Sequence, residues 1–338
     1  ISEDVFEAIN TSKCELKILD YGYTTCNKND DIGILKCESL RSIDANSSMS
    51  NSTIKKWISQ TQKSCRYLNS FSAQWSDSLN DDGMILLCER AAESLEYVEL
   101  RLCYFLTEKT FLSMAQYCSN INHLDVSSVS SVNNNAITAI CHGCPHITYL
   151  NISHNEKITN EAIKIITEKL YNLKTFLVDN LIQLSDESIL YLANLENSLK
   201  VLSIAGIRNF TDNSLISLQL YNYNIRTLNL ASTRFSTFGL INFLNQMSIS
   251  SLNLSMQPHV TNEVVQSATN YEYIEELELS QCENLNNDCI IYLERCRCLN
   301  LLNLSDSNGI TGKLNIILDK NRGNFSLTLP NGNLLFID

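Results

Sequence analysis

The chain is poor in glycine, with ten in 338 residues, and poor in positive charge, with 25 Lys and Arg against 37 Asp and Glu. So little glycine leaves no Gly-rich loop to cradle a phosphate. The net charge of −12 excludes nucleic acid as a partner, because neutralising phosphates takes clustered Lys and Arg. It favours a basic or mixed protein surface instead. No apolar run approaches the ~18 residues a membrane span needs, and no signal-peptide pattern is present. Histidine is scarce too, with five in all and none beyond His259.

What the chain does have is a signature, L-x-x-L-x-L, repeated twelve times. Its first apolar position falls at Leu95, Ile121, Ile147, Leu173, Leu199 and Ile225, each step 26 residues. Leu16, Leu40 and Leu68 precede that stretch and Ile249, Ile274 and Leu299 follow it, with steps of 24 to 28. A fixed period of this length marks a solenoid, so a length that would otherwise suggest two domains reads as one array over residues 1–320.

Residues 147–172 show how one unit works. Leu150 and Ile152 alternate with Asn151, which makes a short strand with one face buried. Ile158 then packs inward, Thr159 is placed to cap a helix, and Glu161 lies in the first turn where a carboxylate suits the helix dipole. Ile163, Ile166 and Leu170 form one buried helical stripe. A strand and a helix in so few residues must wind as coils of a right-handed solenoid.

The apolar-plus-cap step recurs at Leu106-Thr107, Leu184-Ser185-Asp186, Phe210-Thr211-Asp212, Val260-Thr261-Asn262 and Ile310-Thr311. Cysteine stands three residues before the strand signature at Cys37, Cys65, Cys118, Cys144 and Cys296, and nine positions into the unit at Cys103 and Cys282. With these residues the chain resembles the cysteine-containing subclass of leucine-rich repeats, whose unit reads L-x-x-L-x-L-x-x-C-x-x-[IL]-T-D-x-x-L…C-P-x-L; Cys144-Pro145-His146-Ile147 matches its end. The expected fold is an α/β leucine-rich-repeat solenoid of about 12 repeats, a right-handed horseshoe with parallel strands on the concave face and helices on the convex face. Asn155, Gln257 and Ser307 replace the mid-repeat cysteine, so no continuous cysteine ladder is expected. The unit from Ile225 is short, and Ser236-Thr237-Phe238-Gly239 lacks the apolar residue before the cap, which predicts a local irregularity.

Residues 1–9 align with 158–166, so the chain is read as starting inside a repeat with an upstream segment missing. At the other end Asn331-Gly332-Asn333 between apolar runs predicts a capping hairpin within 321–338.

Thirteen cysteines, an odd number mostly at repeat positions, read as reduced thiols in a cytoplasmic or nuclear protein. The sequons at Asn151, Asn253 and Asn303 follow from the repeat, since Asn often separates its two buried apolar residues. Cys141-His142-Gly143-Cys144-Pro145-His146 has metal-like spacing, but Cys144 already belongs to the repeat and no second pair completes a site. Around Cys282, Cys289, Cys296 and Cys298 no histidine is near enough in sequence to act as a base. No catalytic, cofactor or metal site is assigned, and the chain is read as a non-enzyme.

The strand face remains. Its outward positions carry Asp20, Asp44, Glu99, Asp125, Asp179, Glu276 and Glu278, with Arg101 as the one basic residue, and near them stand Trp75, Tyr97, His123, Tyr149 and His154. Solvated polar residues on any exposed sheet explain this pattern as readily as a binding surface does. The functional reading takes Asp20, Asp44, Trp75, Tyr97, Glu99, Arg101, His123, Asp125, Tyr149 and His154 as aromatic anchors framed by carboxylates, a site for a protein partner, basic or mixed in charge. On that reading, reversing the charge of Asp44, Glu99 and Asp125 weakens binding without lowering thermal stability. The resemblance further implies the substrate-recognition part of an F-box/LRR-type ubiquitin-ligase adaptor, joined to a cullin ligase through the upstream segment. A scaffold subunit of an axonemal or cell-cycle assembly without an F-box is the alternative.

Overall fold

The computed structural model describes residues 16–20, 39–47, 51–52, 54–55, 64–195, 198–221, 224–270, 273–296, 298–311, 325–329 and 334–337. Residues 1–9 and the Asn331-Gly332-Asn333 turn, both singled out in the sequence, lie outside them. The chain divides into two compact units, residues 1–173 and 174–338.

In unit 1, strands β1 (Ile18–Asp20), β2 (Ser42–Asp44), β3 (Ser70–Ser72), β4 (Tyr97–Glu99), β5 (His123–Asp125) and β6 (Tyr149–Asn151) pair in parallel, each with the next. Helices α1 (Asp81–Arg90), α2 (Glu108–Tyr117), α3 (Asn134–Gly143) and α4 (Asn160–Lys169) follow β3 to β6 in turn. Unit 2 continues the alternation as β7 (Thr175–Leu177), α5 (Asp186–Tyr191), β8 (Val201–Ser203), α6 (Asp212–Tyr221), β9 (Thr227–Asn229), α7 (Thr237–Leu244), β10 (Ser251–Asn253), α8 (Asn262–Thr269), β11 (Glu276–Glu278), α9 (Ile290–Arg295) and β12 (Leu301–Asn303). There β7 to β12 are again parallel neighbours; β13 (Phe325–Thr328) adds alongside β12, and β14 (Leu334–Ile337) returns antiparallel to β13.

Each strand of the array is three residues long because only its centre alternates into the core. Val98, Leu124 and Leu150 are fully buried, as are the apolar positions flanking them, Leu95 and Leu100 or Ile147 and Ile152. Every such aliphatic side chain removed from water contributes about 1.5–3 kcal/mol, and the repetition stacks them into one continuous core per unit.

Three further positions in each repeat have a structural job. The first is a left-handed residue just after the strand: Ser47, Trp75, Leu102, Ser128, His154, Asn180, Gly206, Ser232, Met256, Gln281 and Asp306 all have φ between 55° and 72°. This turn aims the backbone N–H at the following coil, as in Trp75 N to Arg101 O at 2.9 Å and Met256 N to Ser280 O at 2.8 Å. Only one of the eleven is glycine, and Gly206 has its own reason: a Cβ there would meet Asn180 Oδ1 at 2.1 Å.

The second is the mid-repeat position. Cys103 Sγ donates to Ala73 O at 3.0 Å, Asn155 Nδ2 to Val126 O at 3.0 Å, Gln257 Nε2 to Leu230 O at 2.6 Å, Cys282 Sγ to Leu254 O at 3.4 Å and Ser307 Oγ to Leu279 O at 2.7 Å. Cysteine is thus one of several donors that satisfy a buried carbonyl of the preceding coil. The ladder is interrupted, since the buried aliphatic side chains of Val129, Leu181 and Ile207 stand at the same position and offer no donor.

The third is the cap and the residue after it. Thr107 accepts from Lys109 N at 3.3 Å, whereas Thr159 makes no cap bond to its own helix. Instead Thr159 N donates to Asn134 Oδ1 at 3.1 Å and its hydroxyl accepts from Asn134 Nδ2 at 2.8 Å. The first helical residue of one coil therefore grips the cap residue of the next. Asp81 holds Thr107, Asp186 holds Thr211, Asp212 holds Ser236 and Asn287 holds Thr311 in the same way.

The irregularity expected at Ser236 is smaller than the sequence suggests. Phe235 is fully buried immediately before the cap, so the missing residue is one position of spacer, not the apolar anchor. Ser236 accepts from Gly239 N at 3.0 Å, and its torsions differ, φ −71° against −112° to −133° at the caps of α1 to α5 and α8.

Candidate functional site

Strand register within unit 1 sets the outward side chains in two rows. One runs Ile18, Ser42, Ser70, Tyr97, His123, Tyr149; the other runs Asp20, Asp44, Ser72, Glu99, Asp125, Asn151. Adjacent parallel strands lie about 4.8 Å apart, close enough for neighbouring rings to stack. The Tyr97 and His123 rings are 4.0 Å apart at 16°, and His123 and Tyr149 are 3.8 Å apart at 10°. Three sequence-predicted residues thereby become one aromatic platform.

Glu99 anchors it from the second row. Its carboxylate accepts from the Tyr97 hydroxyl, from Ser72 Oγ at 3.0 Å and from Gln74 Nε2 at 2.6 Å. His123 Nε2 stands 3.7 Å from Glu99 Oε1, an electrostatic contact rather than a hydrogen bond. Burial works to raise the Glu99 carboxyl, but the contact with His123 and the bonds from Tyr97, Ser72 and Gln74 outweigh it and hold it at about 2. Glu99 is therefore a fixed negative charge. Burial and the bond to Glu99 push the Tyr97 phenol well up, and burial with the nearby Asp125 and Glu99 pushes Tyr149 to about 12. Both tyrosines stay neutral.

The carboxylates of the second row differ in role. Asp125, only 8% exposed, accepts from Ser127 N at 2.9 Å, Ser127 Oγ at 2.6 Å and Asn151 Nδ2 at 2.9 Å. Asp44 accepts from Asn46 N at 3.2 Å. These are Asx turns closing the strand ends, and Asn151, Asn229, Asn253 and Asn303 make the same bond without a charge. The turn needs only an acceptor, so the negative charge at Asp44 and Asp125 is additional to what the fold requires. Burial, followed by repulsion from Asp20 and Glu99, raises the Asp44 carboxyl against the pull of its Asn46 bond.

One expectation is corrected here. Asp125 is buried and Glu99 holds a network, so reversing both charges would strand hydrogen-bond donors and lower stability along with any binding.

Trp75 and His154 sit in the left-handed turns at the C-terminal ends of β3 and β6, which is why the indole is 48% exposed rather than packed. Arg101, His154 and Asp20 are exposed and Asp44 is half-buried. Beside Trp75, tied to it through the Arg101 carbonyl, the next turn presents Tyr104 and Phe105 at 53% and 59% exposure. The sequence reading passed over this pair; two adjacent aromatics at turn positions filled by Ser130-Ser131 and Glu156-Lys157 in the following units were the available signal.

The other clusters are structural. His142 turns outward, with Nδ1 2.7 Å from Thr138 O, while Cys141 and Cys144 are buried and Cys144 Sγ donates to Cys118 O at 3.3 Å. Cys282, Cys289 and Cys296 are buried free thiols, and Cys298 alone among the described cysteines is exposed. No group of three or more His, Cys, Asp or Glu arranged to hold a metal occurs among the described residues. None of the described helices is long and apolar enough to cross a membrane.

No protein-family model matches the sequence, and no curated protein matches it significantly. Solved structures do. The crystal structure of the yeast Rad7 and Elc1 complex is similar at a TM-score of 0.73 and 16% identity, over 98% of this chain and 84% of that one. The fold is a leucine-rich-repeat solenoid. An internalin, InlF from Listeria monocytogenes, matches at a TM-score of 0.40 and 14% identity over 76% of this chain and 86% of its own, too distant for a comparison of detail. At these identities the likeness concerns the solenoid and not the residues on its face.

Proposed function

We propose that the strand face of unit 1, with its adjoining turn rim, binds a protein partner through a basic or mixed segment. One observation carries the reading: the Tyr97–His123–Tyr149 stack is fixed beside an ionised Glu99, a rigid aromatic platform with adjacent negative charge. Pre-stacked rings lose little entropy on binding, and the adjacent Glu99 carboxylate attracts Arg and Lys. Trp75, Tyr104 and Phe105 extend the apolar surface along the turns, and aromatic anchors buried by a partner contribute most to association. The role is non-catalytic, since the Glu99 oxygens are occupied as acceptors rather than available as a base.

The finer reading is the substrate-recognition part of an F-box/LRR-type ubiquitin-ligase adaptor, acting in the cytoplasm or nucleus. The cysteine-containing repeat pattern supports it, and a solenoid of the same fold, Rad7, was crystallised with a protein, Elc1. Quantitative affinity capture from native extract, comparing the parent chain with a Trp75→Gly/Tyr104→Ser/Phe105→Ser variant, tests both levels. The expected result is a basic partner retained by the parent, lost at least ~10-fold from the variant, and accompanied by ligase components. Equal retention by both proteins overturns the site; recovery of structural-assembly subunits without ligase components replaces the adaptor reading with the scaffold one.

A further inference from the structure

Unit 2 carries a second surface, on its helices. An outward helical face is ordinarily polar, and isolated exposed apolar residues need no explanation. Here they are aligned. Leu190, Ile216 and Ile241 each occupy the fifth residue of their helix, in three successive coils, α5, α6 and α7. Leu190 is 51% and Ile216 53% exposed, and Ile241 is half-buried. Leu220, one turn beyond Ile216, is 59% exposed, and Phe238, one turn before Ile241, is 73% exposed. On the inward side α6 already buries Ser214, Leu215, Ser217 and Leu218, so the helix is apolar on both faces and the outer face is not required by the core. The row ends at α8, where Gln266 takes the equivalent position.

The helices themselves carry charge of one sign, while Arg208 and Arg234 stand exposed in the turns that lead into α6 and α7. Helices α5, α6 and α7 contain Asp186, Glu187 and Asp212 and no Lys, Arg or His. All three carboxylates lie in the first turns of their helices, along one border of the strip, and Glu263 in the first turn of α8 continues that border. An aligned apolar ridge bordered by the first-turn carboxylates of its own helices is complementary to an amphipathic helix that has apolar residues on one face and Lys or Arg along one edge.

We infer that the α5–α7 face of unit 2 docks a basic amphipathic helix of a protein partner. Leu190, Ile216, Leu220 and Phe238 form the apolar contact, and the carboxylate border fixes the direction in which the helix lies. This surface is separate from the aromatic platform of unit 1, and either can stand without the other.

The test uses the full chain and two synthetic amphipathic helices, one with leucines on one face and lysines along a flank, the other identical but with glutamates for the lysines. Binding is followed by fluorescence anisotropy of the labelled peptide, with thermal unfolding of every variant as a control. The lysine peptide is expected to bind about tenfold more tightly than the glutamate peptide, and about tenfold less tightly to Leu220→Asp and to Phe238→Ser. Equal affinity for the two peptides, or undiminished binding to both variants, overturns the proposal. So does concentration-dependent dimerisation of the parent chain that Leu220→Asp abolishes, which would assign the strip to a second copy of the chain.

Discussion

Asp186 holds Thr211 in the next coil twice, accepting from its backbone N–H at 2.8 Å and from its hydroxyl at 2.5 Å. The pair shows how a short sequence phrase, Thr or Ser followed by Asp or Asn, acts at two levels. Its first residue starts a helix, and its second fastens the following repeat.

Asp186→Ala is therefore expected to cost about 1–2 kcal/mol, although it leaves Ser185, the cap residue of its own helix, in place. A double-mutant cycle with Thr211→Val, measured by urea unfolding, should give a coupling of about 1 kcal/mol. Strict additivity of the two substitutions would show that the clamp contributes nothing.

The left-handed turn makes a second prediction. Gly206→Ala places a Cβ against Asn180 Oδ1 and should destabilise by about 1–3 kcal/mol. Asn180→Gly in the same chain should restore most of that loss, because it removes the clashing amide and suits the φ of 57° at residue 180. A Gly206→Ala chain as stable as the parent would contradict the packing described.

Glu99 gives the fold a specific acid dependence. Its carboxyl lies at about 2 in the folded chain against an ordinary 4.5. A carboxyl depressed on folding contributes stability that is complete above its unfolded pKa and fades as pH falls toward the folded value. The contribution, roughly 3 kcal/mol at most, should be lost as pH falls from about 4.5 to about 2. Glu99→Gln should flatten that limb of the pH–stability curve, and an unchanged slope would remove Glu99 from the network.

The thiols offer a fourth test. Burial pushes Cys103, Cys141 and Cys144 to about 12 and Cys282 and Cys289 to about 11, whereas Cys298 is exposed. Thiolate is the reactive form, so a neutral thiol reagent should modify Cys298 in the native chain and the five buried residues only on unfolding. Rapid native labelling of Cys103 or Cys144 would contradict their placement.

These predictions also mark how far the sequence could be read. Leucine spacing carried the strands and their register, because a buried Val98 or Leu150 has no substitute in chemistry. The left-handed turns stayed hidden, since Trp75, Leu102, His154 and Met256 give no glycine signal. Mid-repeat Asn155, Gln257 and Ser307 looked like departures from a cysteine pattern, yet each, like Cys103 and Cys282, donates to a buried carbonyl of the preceding coil. At the candidate site the sequence named Tyr97, Glu99, His123 and Tyr149 individually; their union depends on ring stacking and on Ser72 and Gln74, whose polar side chains resemble ordinary surface. Asp44 and Asp125 looked like pure surface charge because an Asx turn leaves no mark in composition.

Amide hydrogen exchange of the full chain, alone and with the partner recovered by affinity capture, tests the central claim most directly. Binding at the aromatic platform predicts new protection over residues 97–105, 123–128 and 149–154, strongest at the turn carrying Tyr104 and Phe105. Unchanged exchange in those segments, with protection appearing only elsewhere in the chain, would contradict it.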